Sequence, residues 1–392
     1  MRILLLTFYY PPDLSAGSFR AAALVEALRE EGPPDLHIDV LTTMPNRYHS
    51  MDWGAEVSED NEGVSIRRYE LPSHRSGMKD QARAFLSYAK QVSKATRHKQ
   101  WDAVVATSSR LMTAALGARV AKGLNAPLYL DIRDLFTDTM ADVLAGSPLK
   151  ALLPGFRWVE HSTFQAANRL NVVSAGFLPH LRQVAGERDY RTFTNGIDSE
   201  FLGLDFDSER TEGRSEPLIL YAGNIGEGQG LHEVIPEAAR RLEGRARFRI
   251  IGDGGRRPVL EERLAQNGVS NVELLPPVQR SELMAHYREA DILFLHLNDH
   301  AAFRKVLPSK VFEYAATGKP VLAGVGGFAA EFIEREIPGV AVFSPCSAEG
   351  LVDGFERLEG LSSPVERAEF KTKYAREAIM REMARDILEM VG

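Results

Sequence analysis

One cysteine, Cys346, occurs in 392 residues. A disulfide framework is therefore excluded, as is a metal centre built on paired cysteines, and a reducing compartment fits. No stretch approaches the roughly 18 consecutive apolar residues of a membrane-spanning helix. The nearest, MRILLLTFYYPP, is cut short by Pro11, Pro12 and Asp13, and a helical pattern follows where a signal-peptide cleavage region would stand. The chain is expected to stay in the cytoplasm. No cluster of histidine, cysteine and carboxylate has zinc spacing. A Walker lysine motif is missing, and no glycine fingerprint follows the first apolar run, which weakens a nicotinamide-dinucleotide reading. The acidic pair Asp205 and Asp207 stands in a polar stretch and reads as a solvated loop. No metal and no cofactor is expected.

Hydrophobic residues make up 44% and charged residues 26%, ordinary for a globular chain, and the length points to two domains of similar size. The net charge of −7 is unevenly shared, with 23 basic and 21 acidic residues through Asn195 but 24 and 33 after it. This asymmetry argues against nucleic-acid binding and permits the front half to meet an anionic surface. Apolar runs at residues 2–8, HIDVLTT, SIRRYEL, WDAVVATSS, LYLDIRDL and LNVVSAG alternate with helical patterns, and LILYAG, FRIIGDG, VELLPP, DILFLHL and PVLAGV restart the alternation. The expected fold class is α/β, with two doubly wound, Rossmann-like parallel-sheet domains facing across a cleft. Expected bounds are 1–198 and 216–370, with 371–392 a helix packing back across the domain junction.

Ligands of such sheets bind at the carboxyl ends of strands. That rule selects Gly17, expected at a tight turn before a helix over residues 18–30, and Ser108, with Asp131, Arg133 and Asp134 after LYL. Asp131 and Asp134 read as a general base or metal pair, or as carboxylates pairing with Arg133. In the second half, YAGNIGEGQGL places Gly223, Gly226, Gly228 and Gly230 between a strand and a helix, either a diphosphate cradle or a flexible turn. Asp253 and Arg256 stand at the next strand end, and LLPPVQ forms a rigid turn able to face a planar base. The stretch KVLPSKVFEYAATGKPV predicts a short helix with Ser309 as N-cap, ended by Gly318. Val311, Phe312, Ala315 and Ala316 form its buried side, while Lys310, Glu313 and Thr317 share the opposite face. Lys310 suits a phosphate and Glu313 sugar hydroxyls; a plain exposed ion pair is the alternative. Two further stretches, residues 73–100 with seven cations from Arg75 to Lys99 and residues 144–158, are candidates for peripheral membrane contact or else ordinary helix faces.

Taken in order and spacing, YYPPDLSAGSFR, DIRDLFTDTM, TNGID, YAGNIGEGQGL, IIGDGG, ADILFLHL and LPSKVFEYAATGKPV resemble the GT-B glycosyltransferases of family 4, the group 1 glycosyltransferases, over nearly the whole chain. RDLFTD, GNIGEGQGL and LPSKVFEY are most similar to the branch of N-acetylfucosamine transferases of bacterial surface polysaccharides. The resemblance implies a nucleotide-sugar donor, a UDP-sugar, and a glycan or polyprenyl-linked acceptor. It also implies retention of configuration with the leaving phosphate assisting the acceptor, so that no protein base is required; Asp131 is the candidate for orienting the acceptor. The expected donor contacts are Gly17, Gly223, Asn224, Gln229, Asp253, Arg256, Val278, Arg304, Val306, Leu307, Ser309, Lys310 and Glu313, with Lys310 and Asp131 the expected catalytic residues; Arg20, Arg133 and Asp134 are expected on the acceptor side. Glu313 matches the second glutamate of the family's paired-glutamate motif, but Lys305 stands in place of the first, and Asn224 and Gln229 replace the arginine and lysine of its phosphate loop. Lys310 and Arg304 are then the cations left for the diphosphate. A catalytically silent nucleotide-sugar-binding subunit and an NAD-dependent oxidoreductase are the alternative functions.

Overall fold

Strands buried on both faces read as unbroken apolar runs, and the computed structural model turns RILLL, AVVAT and LILYA into such strands. It describes all residues except 14, 46–53, 73–77, 109–110, 145–147, 204–205, 207–215 and 362–363. Asp205 and most of the polar stretch holding Asp207 lie outside the described residues, as does Arg75. The chain divides into one unit of residues 1–195 with 376–392 and another of residues 196–375.

The first unit holds β1 (Arg2–Leu6), β2 (His37–Thr43), β3 (Ser58–Asn61), β4 (Val64–Tyr69), β5 (Ala103–Thr107), β6 (Leu128–Ile132), β7 (Arg169–Val172) and β8 (Tyr190–Arg191). They form one sheet in the order β3-β4-β2-β1-β5-β6-β7-β8, parallel except for β3, which pairs antiparallel with β4. Its last helix comes from the chain end: Arg376–Val391 buries Met380, Met383 and Ile387 and lies along Ala16–Glu31. Ion pairs Arg381–Glu30 at 2.9 Å and Arg385–Glu31 at 2.7 Å flank that contact.

The second unit holds β9 (Leu218–Ala222), β10 (Arg247–Ile251), β11 (Val272–Leu275), β12 (Ile292–His296), β13 (Val321–Gly324) and β14 (Val340–Phe343). The order is β11-β10-β9-β12-β13-β14, all parallel. Alternate side chains feed two cores. Leu220, Leu293 and Ala323 join Val311 and Phe312 on one face, while Ile219, Tyr221, Phe294 and Leu322 join Leu231 and Val234 on the other. Strand order reverses between β9 and β12, so the loops leaving their carboxyl ends diverge and open a crevice there.

Candidate functional site

Three loops meet at this reversal point. The turn after β9 and the turn after β10 continue the ladder of their strands: Gly223 N donates to Ile251 O, Ile225 N to Asp253 O, and Arg256 N to Ile225 O, each at 2.9 Å. Glycine is required where these backbones touch. A Cβ on Gly252, which has φ of +151°, would stand 1.8 Å from the Gly223 carbonyl oxygen. The second turn is thus built to brace the first. Asp253 turns its carboxylate back onto Gly254 N at 2.8 Å, and Arg256 forms an exposed ion pair with Glu227. Asn224 and Gln229 bond each other, Nδ2 to Oε1 at 2.7 Å, so the two positions where the resemblance expects cations form one neutral amide pair.

The third loop leads into the helix Lys310–Ala316, which Gly318 ends with φ of +73°. Lys310 Nζ lies 2.9 Å from Glu313 Oε2, and the buried Tyr287 hydroxyl is 3.3 Å from both. Burial pushes the Lys310 ammonium down, but the Glu313 charge and hydrogen bond and the nearby tyrosines outweigh it, so its pKa lies above the ordinary lysine value. Lys310 is therefore held as a cation. A Cβ on Gly223 would lie 3.7 Å from Lys310 Cε, which sets the cation beside the first glycine turn. Leu307 is buried, while Val306 and Val278 pack partly buried against the same core. Arg304, exposed, pairs with Asp299 at 2.8 Å.

Two expectations for this helix are corrected. Ser309 occupies the cap position, but its backbone is already helical at φ −59° and ψ −29° and its side chain makes no cap bond. Thr317 does not face outward: it is buried, its hydroxyl donating to Tyr314 O at 2.7 Å and accepting from Lys319 N at 3.2 Å.

Residues 17–196 match the glycosyl transferase 4-like domain and residues 205–378 the glycosyl transferases group 1 family, together most of the chain. The Escherichia coli K12 protein WcaI, named as a colanic acid biosynthesis glycosyl transferase, is 32% identical over 177 residues, 44% of this chain. That match spans 43% of WcaI, less than half its length. Sucrose-phosphate synthase from Thermosynechococcus elongatus matches the fold with a TM-score of 0.75 at 15% identity, over 100% of this chain and 99% of that one. Anabaena HepE in complex with UDP-glucose matches with a TM-score of 0.71 at 12% identity, over 100% of both. Each half of the chain therefore carries a glycosyltransferase domain, on the fold of the GT-B glycosyltransferases.

In the first unit the charges expected at the site divide, and two of the four, Asp131 and Arg20, are structural. Asp131 and Arg20 are each 1% exposed and form a two-pronged pair, Nε to Oδ2 at 2.8 Å and Nη2 to Oδ1 at 3.0 Å. Asn171 Nδ2 donates to the same Oδ1 at 2.7 Å, and Arg20 also donates to the carbonyls of Phe193 and Thr194. Burial alone would raise the Asp131 carboxyl; the Arg20 charge and hydrogen bonds hold it below the ordinary carboxylate range. Both oxygens are occupied and hidden from solvent, so Asp131 is an anchor rather than a catalytic group, and Arg20 is not on an acceptor surface. Arg133 and Asp134 differ: Arg133 is half-buried, reaching Ala16 O at 3.3 Å, and Asp134 is exposed. Gly17 lies inside the helix Ala16–Glu31 rather than at a tight turn; a Cβ there would sit 3.5 Å from Arg133 Nη1, an ordinary contact. Ser108 is buried, its hydroxyl accepting from Arg133 N at 2.9 Å.

Tyr287 is the residue that sequence reasoning missed. It projects from the helix Arg280–Glu289 and reaches Lys310 and Glu313 from another element, and nothing in HYREA marks its hydroxyl as different from a core tyrosine.

Proposed function

We propose that this glycosyltransferase moves a sugar from a UDP-sugar to a glycan or polyprenyl-linked acceptor in the synthesis of a bacterial surface polysaccharide. The observation that carries the reading is the Lys310–Glu313 pair beside the braced glycine turns at the point where the second sheet reverses. Support for the donor comes from HepE, which holds UDP-glucose, and for the setting from the name of WcaI. The sugar moved is a hexose or an N-acetylamino sugar, the second being the one carried by the branch that the motifs resemble.

Transfer builds negative charge on the departing diphosphate, and a positioned cation stabilises that charge more in the transition state than in the bound donor. Lys310 supplies it, with Arg304 as the second cation. Glu313 accepts from the ribose hydroxyls. The acceptor proton passes to the leaving phosphate with retention of configuration, a route that needs no carboxylate base and agrees with the commitment of Asp131 to Arg20. With cationic side chains on the diphosphate, chelator should leave the rate unchanged; loss of activity restored by magnesium or manganese would overturn that part. Peripheral contact at the inner face of the cell membrane brings the enzyme to a lipid-linked acceptor.

A thermal-shift series with UDP, ADP, GDP and NAD tests the donor. At about 100 times its dissociation constant UDP should stabilise by about 2.7 kcal/mol, a shift of several degrees. A response to NAD with none to UDP sinks the reading in favour of an oxidoreductase. UDP binding without turnover on lipid-linked acceptors points to the silent binding subunit.

A further inference from the structure

The glycine-rich turn after β9 is held from behind by the end of β12. Three successive carbonyls are taken: Glu227 O accepts from Asn298 Nδ2 at 2.9 Å, Gly228 O from Asn298 N at 2.9 Å, and Gln229 O from His296 Nδ1 at 2.6 Å. In a trans peptide the N–H points opposite its carbonyl, and Gln229 N and Gly230 N close the turn on Gly226 O at 3.3 and 3.4 Å, so the row of bonds from β12 fixes the shape of the turn. The His296 ring makes a second bond that fixes its state. Nε2 accepts from Cys346 N at 2.9 Å, while Nδ1 faces a carbonyl that can only accept. The imidazole is therefore neutral, with its proton on Nδ1. Burial agrees, pushing the group down to about 4.

The surroundings are shaped to the ring. Phe294 and Phe343 flank it at 6.0 and 6.1 Å between centroids. A Cβ on Gly324 would stand 2.3 Å from His296 Cδ2, so β13 makes room with a glycine. Cys346 has φ of +59° and its thiol donates to Asn298 Oδ1 at 3.2 Å, which ties the turn after β14 into the same network.

We propose that His296 is a positioning residue for glycosyl transfer, fixing the Gln229 carbonyl so that the turn over residues 226–230 keeps the shape in which it meets the donor diphosphate. This rests on the reading of that turn as a diphosphate contact. It bears on the site because Asn224 and Gln229 bring no charge there, leaving backbone geometry as what the turn can offer. His296 touches no reacting atom and acts only through the turn.

The test compares wild type, His296→Phe and His296→Asn by amide hydrogen exchange over residues 223–231 without ligand, and by UDP titration and kinetics. Phenylalanine keeps the aromatic packing and loses both ring hydrogen bonds; asparagine restores an N–H near the place of Nδ1. Exchange in the turn should quicken by about tenfold in the phenylalanine variant, and UDP should bind about tenfold more weakly, with both returning to within about threefold of wild type in the asparagine variant. Turnover at saturating donor should change less than donor affinity. Wild-type exchange in the phenylalanine variant overturns the proposal, and so does quickened exchange with wild-type UDP affinity. A wild type that binds no UDP sinks the donor reading instead, while the exchange arm still decides whether His296 holds the turn.

Discussion

Lys310 and Glu313, one helical turn apart, form a partly buried ion pair at 2.9 Å that the Tyr287 hydroxyl touches from another helix at 3.3 Å. The pair divides two tasks that mutants should separate. Glu313 is proposed to bind ribose hydroxyls, which barely change during transfer, so Glu313→Gln should mainly raise the donor KM. Lys310 faces charge that grows as the glycosidic bond breaks, so Lys310→Ala should lower kcat by about a hundredfold to a thousandfold, with a smaller effect on donor affinity. Near-normal turnover of Lys310→Ala at saturating donor would transfer the role to Arg304.

The Arg20–Asp131 pair should be worth stability rather than rate. Removing one partner of a buried pair leaves the other charge unpaired, so Asp131→Asn and Arg20→Met should each cost about 3–5 kcal/mol in denaturant titrations at pH 7. The Asp131 carboxyl is held below its unfolded value, so its contribution is complete above the unfolded range, about pH 4, and is lost as pH falls through the lower folded value. Asp131→Asn should therefore flatten the acid limb of the stability profile. Turnover per folded molecule should stay within severalfold; a thousandfold fall without lost stability would return Asp131 to the chemistry.

Both sheets were legible because a parallel strand covered on both faces must be apolar along its length, as in LILYA and AVVAT. Two of the three strands that escaped lack that signature, and the third, VAVF, carries it over only four residues. SEDN is a polar edge strand, Tyr190–Arg191 is two residues long, and VAVF is a four-residue strand just after Pro338 and Gly339. Spacing also revealed Lys310 and Glu313, since residues three apart share a helix face. Partnership across the chain was not readable. Arg20 and Asp131 stand 111 positions apart, and a charge at a strand end looks the same in sequence whether it faces a ligand or a buried guanidinium. Tyr287 was hidden for the same reason, as was the row of carbonyls bound by His296 and Asn298.

Gly252→Ala should disable the donor site through backbone alone. Its φ of +151° is a conformation that costs a residue with a side chain about 1–3 kcal/mol, and the new Cβ would overlap the Gly223 carbonyl. Both turns must then move, so the variant should lose the UDP-induced thermal shift. Gly255→Ala is the control, because its Cβ would meet nothing within 4 Å. Equal UDP responses in the two variants would show that the braced turns do not shape the donor site.

Membrane contact should involve two exposed surfaces of the first unit. In the helix Met78–Thr96, Phe85, Tyr88 and Val92 are buried, so these three apolar residues within the basic run belong to the core. The exposed face carries Arg83, Leu86, Lys90 and Lys94, spaced three and four apart, with Arg97 just beyond. The turn Pro148–Leu152 and the helix Leu153–Gln165 expose Leu149, Leu152 and Trp158, the last at 69%, beside the exposed cations Lys150 and Arg157. Both helices pack against Leu111–Leu124. Each cation near an anionic bilayer contributes about 1 kcal/mol, and a tryptophan suits the headgroup boundary. Among the described residues no helix is long and apolar enough to cross a membrane. Flotation with vesicles containing phosphatidylglycerol should capture the protein at low salt and release it near 1 M, where the screening length falls to about 3 Å. Lys90→Glu with Lys94→Glu should weaken capture mainly at low salt, whereas Trp158→Ala with Leu152→Ala should weaken it at every salt concentration that permits binding. Equal recovery on neutral and anionic vesicles, or no loss in either double variant, would leave these surfaces as ordinary solvated faces.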